Sequence, residues 1–287
     1  MNWFVGGMNE IARFVSSKIE NIIPMIVSPN TIGASTCLIC EKPFTKKDVI
    51  VHDHCHLTGQ FGGFAHQAPC NLTFKKQFLV PITFHNLSDY DSYFIIRDIS
   101  KRGCASVLPI NREKYISFTS SDDKTDIKFR FIDSFRFLGA GLDTLVSNLE
   151  VKKLEILKKE FGYLEGDKFM LLIKKGVFPY DYIENLDRLE ETELPTKKNF
   201  HNKLNDTNIS DHDYTHAENV WRKFDIKTLG EYSDLYMKTN ILLLADVFEN
   251  FRELSTQTYS LDPSWYFTLP GYTRDCMLKI PVANYAS

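Results

Sequence analysis

CLICEKPFTKKDVIVHDHCHLTGQFGGFAHQAPCN, residues 37–71, holds four of the six cysteines and four of the eight histidines of a 287-residue chain. Zinc takes four thiolate or imidazole ligands, and a tight C-x-x-C turn delivers two of them to one corner of a tetrahedron. Cys37 and Cys40 supply that corner, while His66 and Cys70, at the start of an expected helix, supply the other two. His52, Asp53, His54, Cys55 and His56 crowd between the two halves, more than a structural site uses. Elements of this kind also serve purely as structural knuckles, and that alternative stands beside any catalytic one.

The surplus resembles HNH nucleases, and among them the phage recombination endonucleases that resolve branched DNA. In that family an Asp-His-x-His segment lies between two zinc knuckles and an Asn follows the last ligand. The matching residues are Asp53, His54, His56 and Asn71. The resemblance implies a zinc-bound ββα-metal module in which Asp53 and Asn71 hold Mg2+ or Mn2+ against the scissile phosphate. His54 would activate water with His56 assisting, because imidazole takes a proton near neutrality and a cation offsets charge growing on the phosphate. Two features depart from the family. The second knuckle is H-x-x-x-C, one residue longer than usual, and Gly62-Gly63 stands where Arg-Gly is usual, which removes an expected phosphate contact.

A composition of 43% hydrophobic and 25% charged residues excludes a disordered chain. The net charge of -3 provides no global basic field for nucleic acid, so any contact falls to local pairs such as Lys46-Lys47, Lys75-Lys76 and Lys174-Lys175. Each pair is also what an ordinary solvated surface carries. Cys104 and Cys276 lie far from the cluster and from each other, which is not the pattern of a secreted disulfide framework. The N-terminus lacks a basic n-region and no apolar run reaches membrane-spanning length. The expectation is a soluble intracellular protein of nucleus or cytoplasm, without membrane contact.

Apolar spacing predicts a helix over residues 2–23, stopped by Pro24. FLVPITF, 78–84, predicts a short buried strand, followed by a helix from Ser88, its N-cap, to about Arg102. SVLPI, KYISFTS and IKFRFID predict strands, the last two joined through SDDKTD as a hairpin. Leu142 to Lys159 reads as helix, about 162–204 as a proline-punctuated surface wrap, and Ser210 to about Phe224 as a capped helix. Leu229 to Tyr259 is the longest helical stretch, with ILLLADVF buried on more than one face.

Three later segments form a second pattern. FHNLSDYDSYF places Asn86 and Asp91 at a strand-to-helix junction, IDSF places Asp133-Ser134 at a strand end, and YMKTN sets Tyr236 four residues before Asn240. Together with PYDYIENL and LDPSWYFTLPGY they resemble the proofreading exonuclease of protein-primed family B DNA polymerases, most closely the viral and Maverick/Polinton transposon branch. That branch also carries a zinc module of this kind just before the FHNL segment. Its exonucleases hold two cations with four carboxylates, because paired metals about 4 Å apart clamp the attacking water and the leaving oxygen. Asp91 matches the second motif and Tyr236 keeps its place. Asn240 stands where the last Asp belongs, and no D-x-E strand precedes Cys37. A neutral carbonyl is a poorer ligand for a hard dication, so the exonuclease is expected to be inactive. By resemblance Asn86, Tyr90, Ser134, Phe135 and Tyr236 line a single-strand groove, Tyr90 by stacking on a base. The alternative for these side chains is core and capping duty.

The expected fold is α+β. It comprises an N-terminal helix and linker (1–36), the zinc module (37–77), a partial RNase H-like domain lacking its first strands (78–262), and a tail toward an absent polymerase palm (263–287). Loss of the first strands would leave the strand around Ile82 as an open edge, a surface that recruits a second copy or a partner protein. The functional expectation is a truncated polymerase relative that binds single-stranded or branched DNA, with metal-dependent endonuclease action at the zinc module. The competing class is a catalytically dead interaction module.

Overall fold

The computed structural model describes residues 2–26, 35–72, 78–89, 91–100, 105–111, 114–121, 125, 127–164 and 166–279. Tyr90, Lys75, Lys76 and Cys104 lie outside the described residues, as does any helix over 73–77 that would complete a ββα arrangement. The chain divides into two compact units, Met1–Asp133 and Ser134–Ser287.

In the first unit, helix α1 (Asn2–Glu20) stops three residues short of expectation, where the Asn21 side chain donates to the Ser17 carbonyl at 2.9 Å. Strands β1 (Ile50–His54) and β2 (Phe61–His66) form an antiparallel hairpin that pairs Ile50 with His66 and slips register after Asp53. Strands β3 (Phe78–Phe84), β4 (Ala105–Pro109), β5 (Tyr115–Ser121) and β6 (Ile127–Asp133) make a second sheet, ordered β3-β6-β5-β4. Strand β3 runs parallel to β6, with Phe84 beside Asp133, and the other neighbours are antiparallel.

The alternation IKFRFID turns Ile127, Phe129 and Phe131 to one face, where they join Met8 and Ala12 of α1, Leu87, Phe118, and Ile95 and Ile99 of helix α2 (Asp91–Ile99). Phe118 stacks on Phe131 with ring centroids 4.2 Å apart. Helix α2 begins three residues later than predicted. Ser88 sits ahead of it in a 3₁₀ turn, Leu87–Asp89, where its hydroxyl donates to Asp133 Oδ2 at 3.1 Å.

The second unit is helical. The predicted helix over 142–159 is broken into α3 (Leu142–Ser147) and α4 (Glu155–Phe161), with a 3₁₀ turn at Val151–Lys153 between them. The cause lies about 90 residues away. The Asp246 carboxylate accepts from the Ile156 and Leu157 amides at 2.8 and 2.9 Å, and so caps a fresh N-terminus there. Helix α5 (Gly166–Leu172) interrupts the proline-rich wrap. Helix α6 (Asp211–Lys223) is capped as expected by Ser210, which accepts from the Asp213 amide. Helix α7 (Leu229–Tyr259) has the predicted bounds: Thr228 Oγ1 accepts from the Glu231 amide at 3.2 Å, and Ser260 ends the helix in a left-handed conformation. It is buried on more than one side. Leu243 and Val247 pack with α3, α4 and Leu172, while Leu229 and Tyr232 pack with Ala217 and Val220 of α6. Helix α8 (Leu269–Lys279) occupies the stretch read as a tail, its Tyr272 and Cys276 packed with Phe137.

Candidate metal centre and strand-end carboxylates

Cys37, Cys40, His66 and Cys70 converge, with one ligand atom from each lying within 4.8 Å of the others. Local hydrogen bonds build the first corner. Cys37 N–H donates to the Lys42 carbonyl, Glu41 N–H to the Cys37 carbonyl, and Glu41 takes a positive φ of 60° to close the knuckle. The knuckle is tied to the hairpin through Leu38 N–H, which donates to Phe64 O at 2.8 Å. Gly63 permits that approach: it has a φ of 154°, and a Cβ there would stand 2.9 Å from Leu38 Cδ2. His66 ends β2 and Cys70 sits in a single π-type turn, Gln67–Asn71, so the second pair comes from a strand end and a turn rather than a helix start.

The geometry fits a tetrahedral ion. His66 Nδ1 lies 3.5 Å from Cys40 Sγ and 3.9 Å from Cys70 Sγ. Ligand lengths of about 2.3 Å to sulfur and 2.0–2.1 Å to nitrogen give a tetrahedral edge of about 3.6 Å. Burial pushes the Cys37 thiol up, but amide donation from Cys40, His66 and Ile39 prevails and holds it near about 6. Burial and the neighbouring Cys40 and Cys37 sulfurs push Cys70 up to about 11. Closely packed sulfurs disfavour one another's charge, and a bound dication would offset it.

Among the described residues, Asp53, His54 and His56 join no second group of three metal-ligating side chains. Asp53 and His54 lie on β1 at the register slip. Asp53 Oδ2 stands 3.2 Å from where a Cβ on Gly62 would be. The His54 and His56 rings are 5.0 Å apart, and His54 Nε2 lies 3.2 Å from the Ile23 carbonyl oxygen. Asn71 closes the turn that carries Cys70.

At the ends of β3 and β6 a different cluster forms. Asp133, 2% exposed, accepts from Asn86 N–H at 2.8 Å and from the Ser88 amide and hydroxyl at 3.3 and 3.1 Å. These bonds hold the turn that leads to Asp91, including Asn86 at a φ of 66°. Burial, and secondarily the Asp133 carboxylate, push Asp91 above the ordinary carboxylate range. The amino-acid order puts Asp133 at a strand end but does not by itself mark its role. Its signal was a single acid closing an otherwise apolar, alternating strand.

In the second unit Ser134 is buried and Phe135 exposed on the 3₁₀ turn Ser134–Arg136. The Tyr236 hydroxyl meets that of Tyr180 at 2.8 Å and its ring stacks on Phe178 with centroids 5.3 Å apart. Burial, with Tyr180 beside it, pushes Tyr236 well above the usual phenol value. Asn240 Oδ1 is buried with no hydrogen-bond partner among the described residues. Lys174 pairs with Asp213 at 2.6 Å. No helix among the described residues is long and apolar enough to cross a membrane.

A family model described as DNA polymerase type B, organellar and viral, matches residues 79–280, the greater part of the chain. No curated protein and no solved structure matches it.

Proposed function

The chain belongs to the organellar and viral type B DNA polymerase family, and on that premise we propose that it engages single-stranded or branched DNA without proofreading hydrolysis. The observation that carries this reading is Asn240. It follows Tyr236 by four residues, where a proofreading exonuclease of this family would present a carboxylate, and it offers only a neutral amide oxygen. Two-cation phosphoryl chemistry needs anionic oxygens to bring both ions together, and a carbonyl supplies too little charge. Asp91 survives from that RNase H-like ligand set, with Asp133 supporting its turn. Asn86 in the first unit, and Ser134, Phe135 and Tyr236 in the second, are each assigned by resemblance to contacts with a single strand.

The Cys37-Cys40-His66-Cys70 cluster is assigned to structural zinc. It pins an HNH-like module in which Asp53 and Asn71 would hold Mg2+ or Mn2+ and His54, with His56, would activate water on a branched substrate. The neighbouring His54 and His56 rings support this second activity. Incubating the full chain with labelled single-stranded and branched DNA in magnesium or manganese tests both assignments. Expected are retained binding at low salt, no 3′–5′ digestion, and nicking that is lost in His54→Ala with zinc content unchanged. Digestion abolished by Asp91→Ala, but not by changes in the zinc module, would refute the proposal.

The competing reading is a repurposed interaction module. It is favoured by the position of β3, which ends the strand order among the described residues and so offers an edge to a second copy or a partner protein. Absence of DNA binding at low salt together with a dimeric mass in light scattering would decide for it.

A further inference from the structure

We infer that Asp48 is the positioning residue of the metal centre: it stands behind His66 and makes Nδ1, rather than Nε2, the ligating nitrogen. The inference deepens the zinc assignment and rests on it.

Imidazole binds a metal through its unprotonated nitrogen, and whatever accepts the proton on the other nitrogen selects the tautomer and fixes the ring. In His66 the two nitrogens face different chemistry. Nδ1 points at the sulfurs, 3.5 Å from Cys40 Sγ and 3.9 Å from Cys70 Sγ. Nε2, on the far side of the ring, lies 3.4 Å from Asp48 Oδ2. A carboxylate there accepts the Nε2 proton, leaves the lone pair on Nδ1, and makes it a stronger donor to a cation.

Asp48 is itself held. Its Oδ2 accepts from the Thr45 amide at 2.6 Å and the Thr45 hydroxyl at 2.8 Å, and its own amide donates to the Thr45 carbonyl. The segment is then locked to the histidine twice: Gln67 N–H donates to Val49 O at 2.9 Å, and Ile50 pairs with His66 in the hairpin. The Phe44 ring packs against the imidazole with centroids 4.7 Å apart, which limits rotation of the ring. Asp48 therefore reaches His66 through a fixed turn and not by a flexible arm.

The alternative duty for Asp48 is capping of the Thr45 turn alone, and two variants separate the roles. Asp48→Asn keeps an acceptor for Thr45 but removes the charge behind His66. Thr45→Val removes one bond of the turn but leaves the carboxylate. Competition of the full chain against a chromogenic chelator is expected to show zinc affinity falling about 10- to 100-fold in Asp48→Asn, and less than threefold in Thr45→Val. Ring-nitrogen NMR of the native zinc-loaded chain, which needs no variant, is expected to show His66 Nε2 protonated and Nδ1 metal-bound. Unchanged affinity in Asp48→Asn, an equal loss in Thr45→Val, or a metal-bound Nε2 would each overturn the inference. If the underlying zinc assignment were wrong, native chain would show no thiolate-to-cobalt absorption on cobalt addition. That outcome is separate from those three and would remove the inference together with its premise.

Discussion

Replacing Asp246 by alanine should loosen α4 specifically. The residue is 1% exposed and gives one carboxylate oxygen to each of two amides, Ile156 and Leu157, at 2.8 and 2.9 Å. A hydrogen bond to a charged acceptor contributes about 1.5–3 kcal/mol net. Here burial pushes the Asp246 carboxyl above its ordinary value despite those amides, so the low end of the range applies. Losing both bonds should cost about 3 kcal/mol, because the α4 N-terminus is left without its acceptor and its dipole partner. Asp246→Asn keeps one acceptor and removes the buried charge, so its cost should be about 1 kcal/mol. Urea unfolding of the full chain measures the totals, and hydrogen exchange of a peptide covering residues 154–161 locates them, with a peptide from β5 and β6 as internal control. A loss below about 1 kcal/mol in Asp246→Ala, with exchange over 154–161 unchanged, would refute the capping account and leave the break in residues 142–159 unexplained.

Further outcomes follow from the same structure. Although burial raises it, the Asp262 carboxyl is held at about 2 by Arg252, which donates Nε and Nη2 to its two oxygens at 3.0 and 2.6 Å, and by the Ser264 amide. Its folded value is thus depressed below 3.8, so its contribution is complete above about pH 4 and lost as pH falls toward 2. Asp262→Asn should cost about 2 kcal/mol at pH 6 and almost nothing at pH 2, by urea titration at both; a pH-independent cost would contradict this. Cys70→Ser should abolish high-affinity zinc binding and expose the 35–72 amides to exchange, while amides over residues 229–259 keep their protection. Asn240→Asp alone should not restore single-strand digestion in magnesium, because one added carboxylate does not complete a two-cation site; robust digestion would show that the other ligands are present.

Elements held by their own periodicity are legible in the amino-acid order alone. IKFRFID forms the alternating strand that its pattern predicts, FLVPITF forms a strand that is half-buried at the sheet edge rather than buried, and the caps Thr228 and Ser210 fix where α7 and α6 begin. Where the expectation fails, a distant side chain intervenes. Asp246 breaks an otherwise helical 142–159, and Asp133 gathers Asn86 and Ser88 into a turn ahead of α2. Neither partner is visible in a local window, since each lies tens of residues away and acts through a tertiary contact. An isolated acid inside an apolar run, ILLLADVF or FRFID, is the signal that points to both. The metal ligands are readable because C-x-x-C and H-x-x-x-C spacings are local. Asp48 is not, because its role depends on a hairpin register that sets Ile50 against His66.

Metal content of the full chain, purified without added metal and measured alongside its hydrogen-exchange protection, bears most directly on the zinc-pinned module. One zinc per chain, with the 35–72 amides protected until a chelator removes the ion, is the predicted result. A metal-free chain with those amides still protected would contradict it.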